Sequence, residues 1–250
     1  MKKFLTVVAL VLVSLCMGVG TSYAYSFSIT DNYVGGNDHG YNDVIGDYRF
    51  KVHGMDVTID DDYLMTVDIR TNYVNHIGAY GTELGDLFIS INGWNPYGSA
   101  ANGYKYDNSA NGEKWEYAFD VSEGKLFDIS AAQGSIRTSD QVYGPGHSGY
   151  IYRNGQEVQI DSTGLTALTT GTVGMDSDSL TLSFSIADMV AGLDTFTLGF
   201  HWGMTCGNDV IEGAIDPITN TTNPVPEPGT LILLGGGLLG MFTMLRKRIK

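Results

Sequence analysis

Cysteine is almost missing from this chain, with only Cys16 and Cys206 in 250 residues. Cys16 lies in an N-terminal apolar run, so removal of that run leaves Cys206 alone and excludes an intrachain disulfide framework. Cys206 then reads as a partly buried free thiol. Basic residues are scarce as well, at 14 against 28 acids, and six of them (Lys2, Lys3, Arg246, Lys247, Arg248, Lys250) sit at the two ends. Residues 25–225 keep 27 of the acids and 8 of the bases, a net of −19. Such a body repels nucleic acid and anionic membrane surfaces, so DNA and RNA are excluded as partners.

Catalytic signatures are absent too. There is no Gly-x-Ser-x-Gly, no His-Glu-x-x-His and no Gly-rich phosphate loop. His39, His53, His76, His147 and His201 show no paired ligand spacing, which argues against zinc. His201 and Cys206, five residues apart, form only a weak case for a nucleophilic pair. A non-enzymatic protein is expected.

What the chain does contain is arranged in four parts. Residues 1–24 have the form of a signal peptide: Lys2-Lys3, an apolar run over Phe4–Val19, and a small-x-small site at Ser22-Tyr23-Ala24. Export through the Sec machinery and cleavage by signal peptidase are expected. Leu15 before Cys16 argues against a lipid anchor.

From 25 to 216 the hydrophobic pattern has period two, the mark of half-buried strands. Met65, Val67 and Ile69, extended back to Tyr63, oppose Thr66, Asp68 and Arg70. Leu180, Leu182, Phe184 and Ile186 oppose Thr181, Ser183 and Ser185, and Phe196, Leu198, Phe200 and Trp202 oppose Thr197 and Gly199. Further strands are expected at Leu87–Ile91, Tyr25–Thr30, Tyr48–Val52, Met55–Ile59, Trp115–Val121 and Leu126–Ile129, and Asn154-Gly155 marks a hairpin turn. Ile186–Leu193 alone suggests a helical turn or two. Many one-sided strands and few helices predict an all-β fold, a two-sheet antiparallel β-sandwich of jelly-roll or lectin-like type. The absence of a fixed repeat disfavours a β-helix.

Residues 217–225 read as a polar, Pro-rich linker in which Asn220-Thr221-Thr222 matches the N-glycosylation pattern. Three of the six prolines, Pro224, Pro226 and Pro228, stiffen the start of the tail. The segment 226–250 follows, with an apolar stretch over 230–245 that would make a single transmembrane helix about 24 Å long, short for a hydrocarbon core of about 30 Å. Basic residues 246–250 would keep the C-terminus cytoplasmic.

Pro226-Glu227-Pro228, the apolar span and the basic end together resemble the PEP-CTERM sorting signal of Gram-negative bacteria. The resemblance implies that Pro226, Glu227 and Pro228 are the recognition motif and Arg246, Lys247 and Arg248 the membrane stop signal. It also implies exosortase, an integral-membrane protease, as processing partner. Transient inner-membrane insertion would precede release to the surface or exterior, in association with exopolysaccharide and biofilm. Gly81–Phe88 and Phe200–Gly213 are similar to stretches recurring in bodies that carry this tail.

Two ligand chemistries suit the body. Carboxylates in loops, foremost Asp60-Asp61-Asp62 and Asp209 with Glu212, supply hard oxygens for structural calcium. Trp94, Trp115, Tyr104 and Tyr106, set among Asn and Asp, supply the stacking platforms of a lectin-like glycan site. A secreted hydrolase would need two carboxyls facing one groove.

Overall fold

The computed structural model describes residues 24–32, 34–36, 47–144, 153 and 155–220. Apart from Ala24, the expected signal peptide lies outside these residues, and so does the expected span over 230–245. No helix among the described residues is long and apolar enough to cross a membrane.

The body is mostly β, with antiparallel sheets and very little helix. One sheet has five strands in the order β1 (Ala24–Thr30), β2 (Val52–Asp60), β3 (Leu64–Thr71), β12 (Ser179–Ser185), β11 (Thr172–Met175). A second runs β10 (Ala167–Thr170), β7 (Lys125–Asp128), β6 (Tyr117–Asp120), β4 (Leu87–Ser90), β13 (Thr195–Gly203), β14 (Val210–Ala214). Two short strands, β5 (Asn92–Gly93) and β15 (Ile218–Thr219), add to β13. A small third sheet pairs β8 (Ile136–Thr138) with β9 (Glu157–Ile160).

The alternation explains the packing. On β12, Leu180, Leu182 and Phe184 are buried while Thr181 and Ser183 are half-buried on the other face. Met65, Val67 and Ile69 of β3 lie inward beside them, in register Leu180↔Ile69 and Leu182↔Val67. These residues meet Leu87, Ile89, Leu198, Phe200 and Trp202 of the second sheet in one core. The rings of Phe119 and Phe184 stack between the sheets at 4.4 Å, a pairing worth about 1 kcal/mol beyond its buried area.

The second sheet is also covered on its other face. Phe88, Trp115, Ala118, Phe127, Ile129 and Ile160 form a separate core beneath β8 and β9. Thr197 and Gly199 were expected on a wet face of β13. They are instead half-buried and buried, because β5 lies against this stretch: a Cβ at Gly199 would sit 2.2 Å from Gly93 O.

Other expectations need correction. Tyr48–Phe50 is a 3₁₀ turn whose N-cap, Asp47, accepts from the Arg49 N–H, and the strand begins at Val52. Tyr63 has φ of 59° and sits in the β2–β3 turn, outside the alternation. Ile186–Leu193 forms hydrogen-bonded turns (Val190 N to Ile186 O, 3.2 Å), and the one α-helix among the described residues is α1, Ser139–Val142, closed by a capping box from Thr138 and Gln141. Gly155 takes the positive φ expected of the Asn154-Gly155 turn, at 76°. The other arm of that hairpin lies outside the described residues, and β9 pairs with β8. The body also runs past 216. Ile218 is buried in the core, Phe196 pairs with it, and the Asn220 amide donates to Leu193 O at 2.8 Å. Residues 218–220, expected in the linker, therefore pack as part of the described body.

Candidate functional site

Beneath the outer layer, β9, β13 and β14 bring together Glu157, His201 and Glu212, all buried, with their ligand-type atoms within 4.8 Å of one another. His201 and Glu212 are direct cross-strand partners, which places both on the outer face of the sheet. β9 delivers Glu157 above them. The close approach of the chains needs glycine: a Cβ at Gly85 would sit 2.1 Å from Gly203 O and 2.7 Å from Val158 O.

The His201 ring is fixed at both nitrogens. Nε2 lies 2.6 Å from the Glu157 carbonyl oxygen, which can only accept, so Nε2 carries a proton. Nδ1 lies 2.6 Å from Glu212 Oε1, so a second proton is shared along that line. Trp94 Nε1 donates to the other Glu212 oxygen at 2.7 Å, and Asn32 donates to the Glu212 carbonyl at 3.1 Å. Phe88 and Trp115 enclose the imidazole, with ring centroids 5.7 and 5.6 Å away.

Burial alone would lower the His201 pKa, but the Glu212 hydrogen bond and charge outweigh it and raise it to about 9. Burial, reinforced by the Glu212 charge, pushes Glu157 up to about 7 against the pull of His201 and a Trp115 hydrogen bond. Asp107, at the loop side of the cluster, is pushed to about 7 by burial and by Glu212, although the Tyr97 N–H donates to its carboxylate.

Asp107 also floors an open pocket of about 430 Å³ whose walls include Tyr97, Lys105, Tyr106, Asn108 and Asn111. Tyr97 and Tyr106 are about half exposed there. The Asn108 and Asn111 amides are held in their own turn by Tyr106 O, at 3.3 and 3.1 Å, which shapes the pocket wall.

The expected glycan residues are divided by this geometry. Tyr106 reaches the pocket, with Lys105 Nζ 5.2 Å from its ring centroid. Trp94 and Tyr104 make an edge contact at 4.9 Å beside it. Trp115 is 1% exposed and belongs to the outer core, which removes it from any surface platform. Tyr97 adds a second exposed ring at the pocket.

The expected calcium ligands do not converge. Asp60 Oδ1 accepts from the N–H groups of Asp62 and Leu64, closing the β2–β3 turn, with Asp61 and Asp62 exposed. Asp209 lies at the other end of β2, accepting from Val52 N at 2.7 Å and 3.7 Å from buried Arg153. Glu212 is committed to His201 and Trp94. Cys206 is buried, with its thiol pushed up to about 12 by burial, and both His201 nitrogens are engaged by Glu212 and the Glu157 carbonyl rather than by this thiol. A second pocket, of about 360 Å³, has Asp86 and Asp120 in its lining. The two Asp86 oxygens accept from Val121 N and Ile160 N, tying the outer layer down.

The described body is thus an all-β, multi-sheet domain with a buried His/carboxylate cluster and a tyrosine-walled pocket above it. Residues 224–248 match the PEP-CTERM protein-sorting motif, which covers Pro226, Glu227, Pro228, Arg246, Lys247 and Arg248, all outside the described residues. The motif implies export, C-terminal membrane anchoring before processing, and exosortase as the processing partner. Neither a curated protein nor a solved structure matches the chain.

Proposed function

We propose that this protein is a non-enzymatic component of the cell surface or extracellular matrix, released by exosortase and associated with exopolysaccharide in biofilm. The sorting motif at 224–248 carries this reading. The acidic, all-β body supports it, since a net of −19 over 25–225 keeps released copies soluble and apart. The signal peptide over 1–24 and the single span over 230–245 belong to the same proposal, as does a jelly-roll or lectin-like relationship of the sheets. Fractionation of cells with and without the sorting protease, with both mature ends read by mass spectrometry, tests it. Loss of Arg246–Lys250 only where the protease is present is expected. Recovery of those residues on the envelope protein in wild-type cells would overturn processing.

A second reading, carbohydrate binding, is favoured by the tyrosine-walled pocket. Half-exposed Tyr97 and Tyr106 offer ring faces and phenols to a sugar, and Asp107 and Lys105 offer hydrogen bonds to hydroxyls. The acidic body favours a neutral glycan over a polyuronate. Affinity electrophoresis through neutral polysaccharide gels should retard the protein, and Tyr97→Ala or Tyr106→Ala should reduce the retardation. Equal mobility in all gels would end this reading.

A further inference from the structure

We infer that Glu157, His201 and Glu212 form an internal binding site for one divalent transition-metal ion, with zinc the best match. With Glu157 and Glu212 ionised and His201 bound as a neutral imidazole, the three side chains carry −2, which a divalent cation cancels; without the ion, charge balance needs protons on His201 and Glu157 instead.

A histidine that binds metal through one nitrogen donates its other N–H to a carbonyl or carboxylate, and His201 Nε2 does this to the Glu157 carbonyl at 2.6 Å. Nδ1 is thereby aimed at the Glu212 carboxylate, 2.6 Å away. The Glu212 carboxylate has an outer partner as well, Trp94 Nε1 at 2.7 Å, and the Trp115 ring packs against the imidazole. Three ligands on β9, β13 and β14 thus come with two orienting groups, the Glu157 carbonyl and Trp94.

Tetrahedral zinc with bonds of about 2.0–2.2 Å sets its ligand atoms about 3.3 Å apart. The Nδ1–Oε1 pair at 2.6 Å must open by about 0.7 Å, and the remaining separations, all under 4.8 Å, must close by side-chain rotation. One imidazole nitrogen with two carboxylates suits zinc better than calcium, which takes six to eight oxygens. Because the three side chains are buried, the ion would enter during folding, after export, and would pin the outer layer to β13 and β14.

The test uses the full chain, produced in zinc-supplemented medium, dialysed against a weak chelator and analysed by elemental mass spectrometry. About one zinc per chain is expected, with X-ray absorption showing nitrogen and oxygen ligands near 2.0–2.2 Å. Glu157→Gln and Glu212→Gln should each retain at least tenfold less zinc, and Trp94→Phe should lower affinity 10–100-fold. Asp61→Asn, in the exposed β2–β3 turn, should retain as much as the parent. His201→Ala removes a core ring and risks unfolding, so near-isosteric Glu157→Gln also serves for thermal melts: zinc should raise the parent's Tm and leave this variant's unchanged. Less than one zinc per ten chains, equal retention by Glu157→Gln, absence of a nitrogen ligand, or calcium in place of zinc would each overturn the inference.

Discussion

Asp209 shows how a carboxylate that suits a calcium site can serve the fold instead. It accepts the Val52 N–H at 2.7 Å and the Val210 N–H at 3.1 Å, and it faces a fully buried Arg153 whose Nη1 also donates to Asn208 O at 2.7 Å. Asp209→Ala should destabilise the protein by about 3–5 kcal/mol, the cost of leaving a buried charge uncompensated. Urea unfolding in the presence of chelator measures this, and a loss that appears only with calcium would point back to metal ligation. Gly85 is constrained by a different cause. A methyl there would meet two backbone carbonyl oxygens, neither of which can rotate away. Gly85→Ala should therefore cost about 4 kcal/mol or more, at the severe end for single substitutions. An unchanged Tm would show that β9 and β13 can part without penalty.

At the scale of elements, β15 decides where the body ends. Ile218 is 3% exposed and Asn220 N–H donates to Asp194 O at 2.7 Å, so this short strand closes over the core beside β13. A chain ending at Asp216 should lose about 2–3 kcal/mol from the Ile burial alone, whereas one ending at Thr222 should melt like the parent. Equal melting of the two would show that β15 contributes nothing. Strands with one wet face were readable from the sequence: β3 and β12 alternate as written, since their outer sides remain solvated. β13 was only half readable. Its inward residues, Phe196, Leu198, Phe200 and Trp202, follow the pattern, but nothing local announces that Gly93 of β5 lies over Gly199 or that β9 covers His201. The His201–Glu212 pair could have been found, because Gly207 with φ of 62° centres a hairpin that sets them opposite each other. Glu157 could not, since it arrives from a strand 44 residues upstream. Trp115 shows the matching ambiguity of aromatics: the same ring suits a sugar platform or a core, and only the position of β8 and β9 decides.

Taken as a whole, the molecule combines a strongly acidic surface with carboxyls buried in its second layer, and this sets its response to pH. Asp86 is driven up to about 7 by burial and by the Asp120 charge, against two backbone N–H groups. Asp107 and Glu157 are also near 7, each from an ordinary carboxylate value, and His201 is near 9. All four hold a proton more tightly in the folded chain than in the unfolded one. Their contribution to stability is therefore full below the unfolded pKa and is lost as pH rises through the folded one: between about 4 and 7 for the carboxyls, and between about 6.5 and 9 for the histidine. Urea midpoints measured in chelator should fall steadily from pH 5 to pH 9. Asp86 lies outside the His201 cluster, so its share can be isolated. Asp86→Asn should reduce the slope of stability against pH between 4 and 7 by up to about 1.4 kcal/mol per pH unit, the effect of one fewer titrating proton, while leaving the slope above pH 7 in place. Parallel curves for parent and variant across the lower window would show that Asp86 is ionised throughout, held so by the Val121 and Ile160 N–H groups, and that burial does not dominate its titration.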